Sequence, residues 1–133
     1  MIGVHKASSF AYMSSRIYRN TFQLHGRYLF GKMYTKNHEW IESDGKPNKY
    51  KIGITNYAQE QLGEIVYVEV SNKNKFIDTS SSIAVVESVK TTSDVYAPAN
   101  GKIIDSNPDL IDNPSLLNQK PEETWICEIE CQS

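Results

Sequence analysis

The sequence is short of the features that mark several classes of protein. Its longest apolar runs, such as Ile83–Val86, span four residues, whereas a helix that crosses a bilayer needs about 20, so no membrane span is predicted. Two cysteines among 133 residues are too few for a disulfide framework. Cys127 and Cys131 would lie about 13 Å apart on one strand, too far for a disulfide, and we interpret Cys127 as a small buried apolar residue.

Residue combinations typical of metal sites and of catalytic sites are also scarce. Outside the first 32 residues, His38 is the only histidine, and the sequence has neither a zinc-binding spacing nor a phosphate-binding glycine loop. No Ser/His/Asp set and no paired acid and base stand out, and we interpret His38 as structural. The sequence therefore predicts no metal site, no catalytic residue and no independent enzyme.

Acidic residues are absent from the first 38 positions, and arginine is absent after Arg27. Residues 1–32 carry five cations, and their serines and interleaved large apolar residues complete a composition typical of an organellar transit peptide. We therefore predict a transit peptide over residues 1–32 and one domain over residues 33–133, located in the mitochondrial matrix, with a plastid-type organelle as the second choice. A disordered cationic tail or a nucleic-acid-binding arm would have a similar composition.

The predicted domain is acidic, with nine lysines against sixteen acidic residues and a net charge of −7. Because phosphate contacts require clustered cations, this charge disfavours binding to nucleic acid. We expect partners that present basic surfaces, or small ligands. We also expect the domain to be a monomer that acts away from the membrane.

Short β strands dominate the predicted domain. Alternation of apolar and polar residues in Tyr50–Ile54 predicts a half-buried strand, and turn residues between Asp44 and Asn48 separate it from the strand before. Many short strands at close spacing are typical of a sandwich or barrel-like β fold. The predicted strands are Tyr34–Glu42, Tyr50–Ile54, Glu64–Val70, Ile83–Val89, Thr92–Ala97, Gly101–Ile104 and Thr124–Glu130.

Two short helices are expected among the strands. Asn56 can cap the first helix and Gly63 can end it. The second helix is expected to begin at Asn113 and Pro114, because proline is tolerated in the first turn, and to continue through Leu117. Each helix is too short to be stable alone and must be held by the sheet.

The segment Ile83–Pro98 predicts a hairpin with an unusual tip. Its two β-prone arms meet at Lys90 without the glycine or asparagine that a two-residue hairpin usually requires. Lys90 would point into solvent, and Glu87 and Asp94 bracket it three and four residues away. An exposed turn lysine alone is usually a solvated surface residue, but stiff β-branched arms would hold this one at a fixed apex. Lys90 is therefore a candidate site for a modifying enzyme.

Short motifs occur in a fixed order along the predicted domain. They are His38-Glu39-Trp40, Gly53-Ile54-Thr55, Tyr57-Ala58-Gln59, Leu62–Glu69, Val85–Lys90, Ser93-Asp94, Ala97-Pro98, Gly101 and Leu117-Asn118. In this order and spacing they resemble the H-protein family of the glycine cleavage system, over about residues 34–129. Each motif alone is weak, whereas the ordered set is specific, and Glu-Ser-Val-Lys followed by Ser-Asp is its most specific part.

The resemblance implies a mostly β fold, a barrel-sandwich hybrid like that of lipoyl and biotinyl carriers, with two short helices and the modified lysine at a hairpin tip. It implies lipoate bound to Lys90 as an amide, attached by a lipoyl ligase or transferase. The resulting carrier would take an aminomethyl group from glycine decarboxylase, the P-protein, to aminomethyltransferase, the T-protein. Dihydrolipoamide dehydrogenase, the L-protein, would then reoxidise the arm.

The resemblance also implies a cleft beside Lys90. Its carboxylates map onto Glu39 and Asp94, which would receive the cationic amine of the loaded arm. Further contacts to the arm, all near the first helix, are Thr55, Gln61 and Leu62. The residues directly before the lysine, which the modifying enzyme would recognise, are Glu87, Ser88 and Val89.

Two other functions stay open at this point. A lipoyl carrier or lipoate relay for other lipoate-dependent enzymes would share Lys90, although lipoyl domains of the 2-oxoacid dehydrogenases usually have aspartate before the lysine. A β-barrel binding module without any cofactor would leave Lys90 as an ordinary turn residue. The mass of the intact protein separates these cases, because only the carriers gain a lipoyl-sized adduct.

Overall fold

The computed structural model describes residues 32–131, in which nine strands and three short helices occur. They are β1 Lys32–Tyr34, β2 Glu39–Ser43, β3 Lys49–Ile54, α1 Asn56–Leu62, β4 Ile65–Val70, β5 Phe76–Ile77, β6 Ser82–Ser88, β7 Thr92–Tyr96, β8 Gly101–Ser106, α2 Asp109–Asp112, α3 Leu116–Gln119 and β9 Cys127–Glu130. No helix in this range is both long and apolar enough to cross a membrane.

Two antiparallel sheets share one apolar core. The larger sheet has the strand order β1-β2-β3-β9-β8-β5, and the smaller sheet has the order β4-β6-β7. Ile52 and Ile129 of the larger sheet and Val86 of the smaller sheet are fully buried in this core. The alternation of apolar residues along the central strands therefore places one face of each sheet inside, and the predicted mostly β sandwich is confirmed.

The predicted strand Tyr34–Glu42 is in fact two strands, β1 and β2, with a tight turn between them. The N–H of His38 donates to the Thr35 carbonyl at 3.1 Å, and the N–H of Thr35 donates to the Glu39 carbonyl at 3.0 Å. His38 has φ 68°, a left-handed conformation that a regular strand does not contain. The prediction of one strand was wrong because this stretch has no glycine or proline, and Asn37 was its one turn-favouring residue.

Helix α1 has a different cap from the predicted one. The Thr55 hydroxyl oxygen accepts from the N–H of Ala58 at 3.1 Å, so Thr55 is the cap and Asn56 is the first helical residue. Both residue types cap helices well, and sequence alone does not choose between neighbours. Gly63 ends the helix as predicted, with φ 86°.

Two single-turn helices replace the second predicted helix. Pro114 lies between α2 and α3 and is not in the first turn of either; its carbonyl accepts from the N–H of Leu117 at 3.1 Å. The described range therefore contains three short helices where two were predicted. A four-residue helix is too short to produce a periodic apolar pattern, which is why α2 escaped prediction.

Strand ends also depart from the predictions. Strand β9 begins at Cys127, not at Thr124, and the two-residue strand β5 had no sequence signal. Val66 in β4 is exposed because a bulge at the start of the strand shifts the register against β6. Val66 therefore does not pack in the core, whereas Val68 and Val70 are partly buried against it.

The first described strand overlaps the predicted leader by one residue. Lys32, the last residue of the predicted leader, is the first residue of β1 and lies opposite Glu42. Its ammonium group donates to the Glu122 carbonyl and lies 4.7 Å from the centroid of the Trp40 ring. The rest of the predicted transit peptide, residues 1–31, lies outside the described residues.

Candidate functional site

Ser88 builds the tip of the β6–β7 hairpin. Its N–H donates to the Thr91 carbonyl at 2.7 Å, and its hydroxyl accepts from the N–H groups of Lys90 and Thr91 at 3.3 and 3.1 Å. The N–H of Val89 donates to the Glu64 carbonyl at 2.9 Å, which ties the tip to the segment before β4. A serine hydroxyl can stand in for a backbone acceptor in a tight turn, and this explains how the hairpin closes without glycine or asparagine.

Lys90 is exposed at this tip, and its side chain lies over the residue that follows α1. Gly63 has φ 86°, and a Cβ built on it would lie 3.1 Å from Cε and 3.8 Å from Nζ of Lys90. A side chain at this position would press on the lysine stem, and the backbone conformation itself favours glycine. Gly63 therefore leaves a bare backbone path beside the lysine.

A cleft of about 180 Å³ opens beside the same end of α1. Its apolar wall consists of Ile54, Ala58, Leu62, Val86 and Val95. Its polar lining consists of Asn37, His38, Glu39, Gln61, Ser93 and Asp94. An apolar wall with a few polar groups suits a ligand with a long apolar stem and a polar end.

Glu39 is the buried carboxylate of the cleft, with 3% of its surface exposed. One carboxylate oxygen accepts from the Thr35 hydroxyl, and the other accepts from the Tyr96 N–H at 3.1 Å. Burial raises the pKa of Glu39, although these two hydrogen bonds act in the opposite direction. Glu39 thus joins β2 to β7 across the two sheets and places a fixed carboxylate at the cleft.

The other predicted arm contacts take different positions. Asp94 is exposed on β7 and accepts from the Ser82 hydroxyl at 3.0 Å. Gln61 and Leu62 lie on the α1 side of the cleft. Thr55 does not line the cleft; it is buried at the start of α1, where it acts as the cap. The cleft therefore brings together four of the five residues, and their contact with an arm stays a prediction.

The three residues before Lys90 divide into two kinds. Glu87 and Val89 are exposed, Val89 to 65%, so a modifying enzyme could reach them. Ser88 is buried, and the partners of its hydroxyl are residues of the same turn. Recognition of all three residues by a modifying enzyme stays a prediction. The structure adds that the Ser88 hydroxyl closes the turn.

Sequence reasoning missed His38 as a member of the cleft. Its Nδ1 is buried and has no hydrogen-bond partner among the described residues. Its ring packs on the Tyr57 ring with 4.8 Å between centroids, and burial lowers the pKa of His38. The one sequence signal was its place directly before Glu39, which alone indicates no role.

Asn118 was also missed as a support of the site. Its amide nitrogen donates to the Gly63 carbonyl and to the Gln59 side chain, each at 2.8 Å. Its amide oxygen accepts from the N–H of Ile65, also at 2.8 Å. Asn118 on α3 therefore holds the segment between α1 and β4, on which the Lys90 stem rests.

Metal and thiol chemistry find no support in residues 32–131. No group of three or more His, Cys, Asp or Glu in this range is arranged to hold a metal ion. Cys127 is buried and unpaired, as predicted, and burial raises its pKa to about 12. Its thiol stays protonated at neutral pH and is not a nucleophile.

Two antiparallel sheets around one core, with a lysine on a hairpin tip beside a cleft, form a β sandwich of the lipoyl type. The model of the glycine cleavage H-protein family matches residues 32–133. The chain therefore belongs to the glycine cleavage H-protein family, and the predicted family is confirmed.

Individual relatives agree with this assignment. The glycine cleavage system H protein of Halothermothrix orenii is 46% identical over 99 residues, covering 74% of this chain and 76% of the relative. That of Deinococcus deserti is 46% identical over 98 residues, covering 73% and 78%. The crystal structure of the H protein from Mycobacterium marinum matches with a TM-score of 0.69 and 32% identity, covering 77% of this chain and 84% of that one.

The predicted mitochondrial matrix location is wrong. The relatives named above and that of Paraburkholderia xenovorans are bacterial proteins, and bacteria have no mitochondrion or plastid. A cationic, serine-rich composition without acids is common to import signals and to other basic segments, so it does not specify an organelle.

Proposed function

We propose that this chain is the lipoyl carrier of a glycine cleavage system, with lipoate bound to Lys90 as an amide. The observation that carries the proposal is the exposed Lys90 amine, whose stem lies on the bare backbone of Gly63 beside an apolar cleft with carboxylates in its lining. When bound, lipoate supplies a dithiol–disulfide couple that accepts the aminomethyl cargo. A path that a Cβ would obstruct, followed by a cleft with an apolar wall, fits such an arm.

The residues of the chain have separate tasks in this proposal. Lys90 supplies the amine that is acylated, and amide formation removes its charge. Leu62, Val86 and the rest of the apolar wall shelter the stem of the arm from water. Glu39 and Asp94 face the cargo amine, a cation when protonated, and a carboxylate within hydrogen-bond reach favours that charged form.

The partners follow from the same proposal. The arm would visit the glycine decarboxylase, the aminomethyltransferase and the dihydrolipoamide dehydrogenase in turn, after a lipoyl ligase or transferase has attached it. Tethering makes each visit effectively intramolecular. The chain presents the cofactor and does not itself catalyse the reaction, and we expect it to work as a monomer.

The test is the mass of the intact chain after incubation with a lipoyl ligase, ATP and lipoate. Wild type should gain one lipoyl-sized adduct on Lys90. Lys90→Arg should gain none, because its guanidinium is not the amine that the ligase acylates. Lys120→Arg, a matched change at another exposed lysine, should behave as wild type.

Three outcomes separate the possible functions. An adduct on Lys90→Arg at wild-type levels would show that the site is elsewhere. No adduct on wild type would favour a binding module without cofactor. An adduct that takes up no cargo from glycine and the decarboxylase would point to a carrier or relay for other lipoate-dependent enzymes.

A further inference from the structure

We propose that Thr35 is a positioning residue for the cargo: its hydroxyl fixes the buried Glu39 carboxylate and keeps it ionised, so that the cleft presents a negative charge to the ammonium group of the aminomethyl cargo. The inference rests on the proposed function, because it needs that cargo at the end of an arm on Lys90. Thr35 does not line the cleft and acts only through Glu39.

The first observation is that three hydrogen bonds join Thr35 to Glu39. The Thr35 N–H donates to the Glu39 carbonyl at 3.0 Å, and Oγ1 of Thr35 accepts from the Glu39 N–H at 3.2 Å. The hydroxyl proton is therefore free to donate, and Oε1 of Glu39 accepts it. Thr35 is itself buried, with 4% of its surface exposed, so this ring of bonds holds the carboxylate in one orientation.

The second observation is that the charge of Glu39 depends on hydrogen bonds alone. No ion pair within residues 32–131 includes Glu39. Its carboxylate has two donors, the Thr35 hydroxyl and the Tyr96 N–H. Burial raises the pKa of Glu39, and each of these bonds lowers it. Without the hydroxyl one donor remains, so the carboxyl should take up a proton at a higher pH.

The third observation is the place of Glu39. It lines the cleft together with the apolar side chains of Ile54, Leu62 and Val95. Near apolar surface a charge is screened less than in bulk water, so the carboxylate attracts a cation in the cleft even without touching it. A protonated carboxyl has no such charge, so the cargo should be held less well as the pH falls through the pKa of Glu39.

Other titratable groups lie close to Glu39. They are His38 from the turn between β1 and β2, Asp94 from β7, and Tyr57 from α1, which packs on His38. Protonation of His38 or Asp94 would also weaken the hold on a cation. Wild type and the Thr35 variants share these groups, so a comparison among them isolates Glu39.

Two variants isolate the hydroxyl. Thr35→Val keeps the branched shape and removes the donor, whereas Thr35→Ser keeps the donor; Thr35→Ala replaces the valine variant if that one does not fold. The matched control is Thr124→Val, because Thr124 is also buried and its hydroxyl donates to the Leu116 carbonyl at 3.3 Å. Circular dichroism and thermal unfolding report whether each variant keeps the fold.

The direct measurement is a carbon-13 NMR titration of the Glu39 carboxyl in the chain without lipoate. The signal is assigned by its absence from Glu39→Gln. The pKa of Glu39 should be higher in Thr35→Val than in wild type, because one of two donors is gone. It should stay near the wild-type value in Thr35→Ser and in Thr124→Val.

The kinetic measurement uses lipoylated, loaded protein without the transferase. Loss of the cargo consumes one water and yields a free thiol, formaldehyde and ammonium. At neutral pH Thr35→Val should lose the cargo about threefold to tenfold faster than wild type, as expected for the loss of one hydrogen bond. This ratio should rise as the pH falls, and then return towards one where Glu39 is protonated in both proteins. Thr35→Ser and Thr124→Val should give ratios near one at every pH.

The outcomes separate this inference from the proposed function. An unchanged pKa of Glu39 in Thr35→Val overturns the inference and leaves the proposed function standing. A rate ratio that is the same at every pH also overturns it, because a general loosening of the fold would then explain the faster loss. If wild type takes up no lipoyl adduct in the mass measurement, the proposed function and the role of Thr35 towards the cargo are both overturned.

Discussion

The hairpin tip and the cleft differ in how far apart along the chain their parts lie. The tip is made by residues 88–91 with one contact from Glu64, whereas Glu39 reaches the Tyr96 N–H across 57 positions. Local contacts hold an exposed lysine where a partner can reach it, and distant contacts hold a buried carboxylate. The proposed function needs both, because an arm on Lys90 would leave the protein at the tip and shelter in the cleft.

Asn118→Ala should weaken both the hairpin tip and the cleft, and it should lower the free energy of unfolding more than the other variants do. It removes three hydrogen bonds, so the free energy of unfolding should fall by about 3 kcal/mol, at about 1 kcal/mol for each bond. Lipoylation of Lys90 should slow as well, because the Gly63 segment loses its support. Urea unfolding and mass spectrometry measure the two effects.

The control is Asn113→Ala, an exposed asparagine that bonds Ser115. It should change the free energy of unfolding by no more than about 0.5 kcal/mol. If the two variants lose equal stability, the bonds of Asn118 do not support the segment between α1 and β4.

Glu39→Gln and Asp94→Asn should affect the cleft and spare the tip. A hydrogen bond to a charged group contributes roughly 1.5–3 kcal/mol, so each variant should lose its cargo about tenfold to a hundredfold faster than wild type. Lipoylation rates should stay near those of wild type. The measurement is cargo loss without the transferase, with Glu69→Gln on the exposed part of β4 as the matched control.

Two results would revise this assignment. If both cleft variants hold their cargo as wild type does, the carboxylates are not cargo ligands. If they fail at lipoylation instead, Glu39 and Asp94 belong to the surface that the modifying enzyme recognises.

Ser88→Ala should have the reverse effect and disturb the tip alone. The turn loses the hydroxyl that accepts from two N–H groups, at a cost of about 1 kcal/mol in unfolding free energy. Lipoylation should slow because Lys90 is less well held, while cargo already loaded should be lost at the wild-type rate. Thr92→Ala, at an exposed hydroxyl on the next strand, serves as the comparison, and faster cargo loss from Ser88→Ala would argue that tip and cleft are not separable.

The change in unfolding free energy with pH that is due to Glu39 should be the smallest of these effects. Burial raises the pKa of Glu39, so the folded chain holds this proton more tightly than the unfolded chain does. The stability from this proton is complete below the unfolded pKa and is lost as the pH rises through the folded pKa. The free energy of unfolding of wild type minus that of Glu39→Gln should therefore fall as the pH rises from about 4 to 7, as followed by urea unfolding. A difference that stays constant would mean that the carboxyl titrates alike in both states.

Several parts of the site could be predicted from sequence because their signals are local. Alternation along β3 predicted a half-buried strand, since the side-chain period of a strand depends only on neighbours, and the many short strands predicted the sandwich. The same holds for Lys90 at a turn between two arms. The role of Ser88 in the turn is also local, but it was missed. A serine in a strand-like run does not by itself indicate that its hydroxyl closes a turn.

The sequence by itself determined the mostly β architecture, the position of Lys90 on a hairpin tip and the ordered motifs of the family. Only the tertiary structure decided that Thr55 caps α1 and lies outside the cleft, that His38 lines the cleft, and that Asn118 supports it. The physical reason is distance along the chain: the bonds of Asn118 span 53 to 59 positions. A local pattern shows which face of a strand is buried, but which distant side chain meets that face depends on how the two sheets pack.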